Sequence, residues 1–204
     1  MASLRPIRPD TDSPTPIHLR ALDDLRFIRE TMDRSRSFTA ISGMGEILVG
    51  VSALLAALIA IVQPTDGRWL AVWLAEAVVA IALTCAFTAA KASRAGEALL
   101  SRPGRQVVGG LTPPLIAGLI LTVALFGNGA PELLPGTWLL LYGTGVVTAG
   151  AFSVRIVPVM GVLFMVVGGL AFLTPVLERD IVLACGFGGL HIVFGAIIAR
   201  RYGG

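Results

Sequence analysis

Charge is what this sequence has least of: 14% of its 204 residues are charged against 55% hydrophobic, and the mean hydropathy is +0.81. A chain so poor in charge cannot cover the surface of a soluble domain, which leaves a lipid bilayer as its natural solvent. Cysteine is equally scarce. Two cysteines make no disulfide framework, and Cys85 and Cys185 fall at opposite depths of their apolar runs, which argues against a bond between them within one chain. No HExxH or other metal-ligand spacing occurs, and no GxSxG, Walker or dinucleotide-binding glycine pattern, so neither an enzyme class nor a metal nor another cofactor is expected. The basic pI of about 9.4 is carried by no base-reading module, so nucleic acid is not an expected partner. Residues 1–36 hold seven arginines and six acids without a continuous apolar stretch, so no cleavable signal peptide is expected.

Apolar runs fill the rest of the chain. Crossing roughly 30 Å of hydrocarbon takes about 20 residues of helix, and six such runs are read at about 38–62, 69–90, 107–126, 133–154, 156–173 and 181–199. The expected fold class is therefore all-α, a polytopic transmembrane helical bundle of six spans. Of the sixteen Lys and Arg residues, all but Arg68 and Arg179 fall on one side of these spans. The positive-inside bias then puts both termini in the cytoplasm, in a bacterial cytoplasmic (inner) membrane. Trp69, Trp73 and Trp138 fall near the outer ends of their spans and read as an interfacial aromatic belt. Pro113-Pro114 is expected to interrupt the start of the third span, because an interior proline removes a helix hydrogen bond.

Three parts are expected along the chain. Residues 1–16, with four prolines, read as a flexible cytoplasmic tail. Residues 17–36 read as an amphipathic helix, with Leu22, Leu25, Ile28 and Met32 on one face and Asp23, Arg26, Glu30 and Arg34 on another. Such a helix lies on the membrane surface, engages a cytoplasmic protein partner or packs under its own bundle, and the sequence leaves these open. Residues 37–204 are the six-helix membrane domain, in contact with membrane lipids. Three spans on each side of the loop at Asn128 would give two halves of opposite topology.

Three ionisable residues lie within the apolar runs: Glu46, Glu76 and His191. Each costs a few kcal/mol in hydrocarbon unless paired or hydrated, which makes it a candidate for binding a ligand, proton or cation. Glu46 shares a small-residue stripe with Gly43, Gly50, Ala53, Ala57 and Ala60, and His191 shares one with Ala184, Gly188, Gly195 and Ala199. Small stripes are where membrane helices approach closely, so Glu46 and His191 are expected to face each other inside the bundle, and the chain is expected to form a homo-oligomer. The plainer reading is that these groups hydrogen-bond across helices and fix the packing. Glu76 shares a face with Ala80, Thr84 and Thr88 and is read as an outer station or a snorkelling carboxylate. Arg155, in the turn Ser153-Val154-Arg155-Ile156, is read as a headgroup anchor or the guard of a cytoplasmic opening.

The segments Leu22-Asp23-Asp24-Leu25-Arg26-Phe27-Ile28-Arg29-Glu30-Thr31-Met32, Leu134-Pro135-Gly136-Thr137-Trp138-Leu139-Leu140-Leu141-Tyr142-Gly143, Phe152-Ser153-Val154-Arg155 and Gly186-Phe187-Gly188-Gly189-Leu190-His191 carry a resemblance. They resemble an uncharacterised family of bacterial six-span integral membrane proteins, over most of the chain after the tail. The resemblance implies no activity. It implies at most a soluble partner or shared regulation, since some members are encoded beside winged-helix regulators.

Overall fold

The computed structural model describes residues 21–26, 28, 41–94, 96, 101–173 and 179–202. The chain divides into two units, Met1–Arg36 and Ser37–Gly204. In the first, residues 21–26 and 28 are helical and Leu22, Leu25 and Ile28 are exposed. The expected tail at 1–16, and Met32, Glu30 and Arg34 of the expected 17–36 helix, lie outside the described residues.

The described residues of the second unit form six principal helices: α1 (Gly43–Ala60), α2 (Asp66–Arg94), α3 (Arg102–Gly127), α4 (Leu134–Gly150), α5 (Ile156–Ala171) and α6 (Arg179–Tyr202). Local chemistry sets several of the boundaries. Ser42 caps α1 by accepting from the Gly45 N–H at 3.2 Å, and Ser101 accepts from the Gly104 N–H at 3.4 Å at the start of α3. At the end of α3 the Asn128 side-chain amide donates to the Ala124 carbonyl at 2.7 Å, and Gly129 follows with φ +72°. That left-handed conformation is one a side chain rarely adopts, and it turns the chain into the short 3₁₀ turn Pro131–Leu133 ahead of α4.

Five of the described helical segments are long and apolar enough to cross a membrane: α1, α2, α3, α6, and α4 together with its 3₁₀ turn. This is the composition of a membrane-embedded protein. The run read as the fifth span yields only the 16-residue α5, ending at Ala171. At 1.5 Å per residue that is about 24 Å, short of a typical hydrocarbon core.

Two expectations are corrected. Pro113 and Pro114 do not interrupt the start of the third span; α3 begins at Arg102 and carries both prolines in its interior. Apolar surroundings offer freed backbone groups no water, so neighbouring helices and hydroxyl side chains take them up and the helix persists. The tryptophans also do not form a lipid-facing belt, because Trp69 is 0% and Trp73 5% exposed. Their indole N–H groups find an acceptor inside the protein.

Packing follows a simple scheme. The main neighbours of α1 are α2 and α6, and those of α4 are α5 and α3. Exchanging α1 with α4, α2 with α5 and α3 with α6 maps each of these pairs onto another. Contact between α1 and α6 is backbone to backbone: a Cβ at Gly50 would stand 2.6 Å from the Gly188 carbonyl oxygen, and one at Gly195 2.8 Å from that of Gly43. Only glycine allows such an approach. The helix ends are tied by Lys91, whose Nζ donates to the Ile41 and Tyr202 carbonyls, each at 3.0 Å. Outward faces of α2 and α3, including Val78, Ile81, Leu119 and Val123, are exposed, as suits surfaces solvated by acyl chains.

Candidate functional site

His191 stands near the middle of α6, 2% exposed. The seven residues before it, Ala184–Leu190, form a π-helical segment, a rare widening of the α-helix often found at functional positions. Its consequence here is local. The His191 backbone N–H reaches the Gly188 carbonyl, while the ring Nδ1 lies 2.7 Å from the carbonyl oxygen of Phe187. A carbonyl only accepts, so Nδ1 carries the hydrogen and the neutral ring presents a lone pair at Nε2. The Tyr142 hydroxyl of α4 lies 2.8 Å from that nitrogen and donates to it.

Glu46 approaches the same nitrogen from α1. Its place in the first turn suits the helix dipole, which favours a carboxylate there. It springs from the backbone level with Gly195, where an added Cβ would lie 2.9 Å from its own Cβ, and reaches one turn along α6 to bring Oε2 within 3.6 Å of His191 Nε2. The Glu46 side chain is 13% exposed. A separation of 3.6 Å is ion-pair range but too long for a hydrogen bond. Two groups thus converge on Nε2, with only the tyrosine at bonding distance.

Aromatic rings enclose the trio. Phe164 of α5 meets His191 edge to face at 5.2 Å and Tyr142 at 4.8 Å, and Phe187 lies over the imidazole at 6.3 Å with the planes 22° apart. Trp73 of α2 meets Phe187 at 6.4 Å. Every helix but α3 thereby contributes to the site or to the ring layer around it.

A second polar cluster lies where α2 and α6 begin. Asp180 is buried, and its Oδ1 accepts from the indole N–H of Trp69 at 2.7 Å and of Trp73 at 3.1 Å. Trp69 stacks on Trp138 with ring centroids 5.7 Å apart, and Trp138 donates to the Thr122 hydroxyl at 2.8 Å. Beside it, Arg179 lies over the Trp69 ring at 4.2 Å and pairs with Asp66 at 2.8 Å.

The remaining expected residues sit apart from the trio. Glu76 accepts from the Ser52 hydroxyl at 2.8 Å, which links α2 to α1. Arg155 is exposed in the turn before α5. Tyr142 and Asp180 were not legible as site residues, although each left a signal. Tyr142 is a tyrosine in mid-helix, away from the interfaces where membrane tyrosines concentrate, and Asp180 is an acid at the mouth of an apolar run. Among the described residues no group of three or more His, Cys, Asp or Glu is placed to hold a metal.

No protein-family model, curated protein or solved structure matches the chain.

Proposed function

We propose that the chain is a six-span, homo-oligomeric protein of the bacterial cytoplasmic membrane, with both termini in the cytoplasm, that binds or transports a small solute or ion at Glu46 and His191. The observation that carries this reading is the spacing at the centre of the bundle. A buried carboxylate stands 3.6 Å from an imidazole nitrogen whose lone pair already accepts from Tyr142, so two acceptors face each other in a setting where ionisable side chains are costly. Packing glue joins a donor to an acceptor, whereas these two groups can bond only once a proton or other cation arrives between them.

Other features support the membrane reading. The α5 helix serves as the fifth of six spans, its shortfall met by local thinning of the bilayer, and the Lys and Arg asymmetry then favours both termini inside. The exchange of packing partners between the α1–α3 and α4–α6 halves is the contact pattern of an inverted repeat, an architecture that alternates access to a central site. Glu76 serves as a second station and Arg155 as a cytoplasmic gate or headgroup anchor. Membership of the uncharacterised six-span family is part of the same reading.

The test is flux into proteoliposomes. Glu46→Gln and His191→Ala should abolish uptake of a transported solute or ion while the protein still assembles; unaltered uptake in both variants overturns the assignment of the site. Exposure of Leu22, Leu25 and Ile28 favours a second reading, a membrane scaffold or sensor that engages a cytoplasmic partner through its N-terminal helix. Deleting residues 17–36 should then release a co-purifying protein, and unchanged recovery of that protein counts against it.

A further inference from the structure

We infer that the species handled at Glu46 and His191 is the proton itself, taken up at His191 Nε2, which Tyr142 positions, and passed on to Glu46. This deepens the reading of that site and rests on it. Three observations lead there, and the first is space. Around the trio the helices touch through backbone: an added Cβ would stand 2.6 Å from the Gly188 carbonyl at Gly50 and 2.8 Å from the Ile47 nitrogen at Gly195. Rings pack against the imidazole on its other sides, with centroids 4.8 to 5.5 Å apart among Tyr142, Phe164 and His191. Such packing admits no hydrated cation or organic solute without parting the helices, whereas a proton needs no volume.

Second, the groups present are proton carriers. Metal sites take three or four ligands, and the trio offers one imidazole and one carboxylate beside a phenol. Third, the geometry leaves one nitrogen to act. With Nδ1–H held by the Phe187 carbonyl at 2.7 Å, the ring gains or loses its exchangeable proton at Nε2 alone. The titratable groups facing that nitrogen among the described residues are Glu46 from α1 and Tyr142 from α4; α5 contributes the Phe164 ring, and α6 its own Phe187 ring and carbonyl.

The step balances without a co-reactant. In the neutral state Tyr142 donates its O–H to the Nε2 lone pair. When a proton adds to Nε2, that nitrogen becomes a donor, the Tyr142 hydroxyl rotates to accept, and the imidazolium faces the Glu46 carboxylate. Once the imidazolium draws the Glu46 carboxylate in from 3.6 Å to hydrogen-bond distance, breaking the Nε2–H bond and forming an O–H bond at Oε2 returns the ring to neutrality and moves the proton from α6 to α1. Tyr142 is thus a positioning residue: it holds the ring until the proton arrives, then supplies the acceptor.

The test uses the full chain in lipid bilayers with ¹⁵N-labelled histidine, followed by solid-state NMR across pH, with His191→Gln separating its signals from those of His18. The expected result is a neutral ring protonated at Nδ1 under alkaline conditions and a doubly protonated ring under acid ones. Tyr142→Phe should move the alkaline Nε2 resonance and leave Nδ1–H in place, a change that loss of packing alone does not produce. Liposomes loaded with a pH-sensitive dye should admit protons down an imposed gradient, with flux reduced roughly a hundredfold in Glu46→Gln, the loss typical of removing a positioned acid or base. A neutral ring carrying its hydrogen on Nε2, or one protonation state across the whole pH range, overturns the proposal. If a solute or metal ion crosses while His191 keeps one state, the proton assignment falls and the transport reading stands. If His191 exchanges its proton and nothing crosses, the proton site stands and transport falls.

Discussion

Two polar clusters occupy this bundle, and they are satisfied to different degrees. Around Asp180 the donors and acceptors meet at 2.7 to 3.1 Å, and two indoles converge on one carboxylate oxygen. Around His191, Tyr142 and the Phe187 carbonyl are at 2.8 and 2.7 Å, while the Glu46 carboxylate stands off at 3.6 Å with no hydrogen bond to the ring. Buried polar groups are costly when unpaired, so a complete network fixes a structure while a network one partner short retains the freedom to exchange that partner. The tryptophan cluster therefore reads as the clasp that holds α2, α4 and α6 in register, and the histidine trio as the part left able to respond.

Substitutions break or sharpen that contrast. The largest loss of stability is expected for Trp69→Ala, about 3 to 5 kcal/mol for removing a fully buried indole, measured by thermal unfolding of the purified protein in detergent. Asp180→Ala leaves two buried N–H groups without their acceptor and should cost about 2 to 4 kcal/mol, at roughly 1 to 2 kcal/mol for each. Asp180→Asn keeps an acceptor oxygen and should recover much of that loss; equal destabilisation by both would mean that the charge, and not the hydrogen bonds, makes the clasp. Next comes Gly50→Val, whose side chain meets the Gly188 carbonyl and should cost about 1 to 3 kcal/mol through overpacking.

The trio should behave in the opposite way. Tyr142→Phe removes one hydrogen bond and should change stability by only about 0.5 to 1.5 kcal/mol, yet it should slow proton entry into dye-loaded liposomes. A large stability loss with unchanged flux would place Tyr142 with the clasp. The smallest effect is expected for Arg179→Ala. Its partner Asp66 is half exposed, and such pairs contribute at most about 1 kcal/mol, less as salt rises. A salt-independent loss would show that the Trp69 contact, not the ion pair, is what Arg179 supplies.

Much of the fold was legible because helix formation in an apolar chain is a local matter. Composition and run length gave the helices to within a few residues at most ends, and the small-residue stripes placed Glu46 and His191 on faces that meet, their atoms 3.6 Å apart. Where local patterning misled, a distant partner intervened. Pro113 and Pro114 read as a break, but α3 runs through them. Trp69 and Trp73 read as interface anchors, but Asp180, 111 and 107 residues away, turns their N–H groups inward. The fifth apolar run reads as a full span, yet its helix stops at 16 residues.

By itself, then, the sequence determined an all-helical chain with membrane-crossing segments, because hydrophobic run length and backbone hydrogen bonding act over one or two turns. It also determined which rare ionisable residues sit within the apolar runs. Only the tertiary structure decided that Tyr142 joins His191, that Asp180 gathers two tryptophans, and that Glu76 turns to Ser52 instead of the centre. Those choices depend on how closely helices approach at Gly50 and Gly195 and on the π-helical turn that frees the Phe187 carbonyl for the ring. Crossing geometry is a property of pairs of helices, and no single helix encodes it.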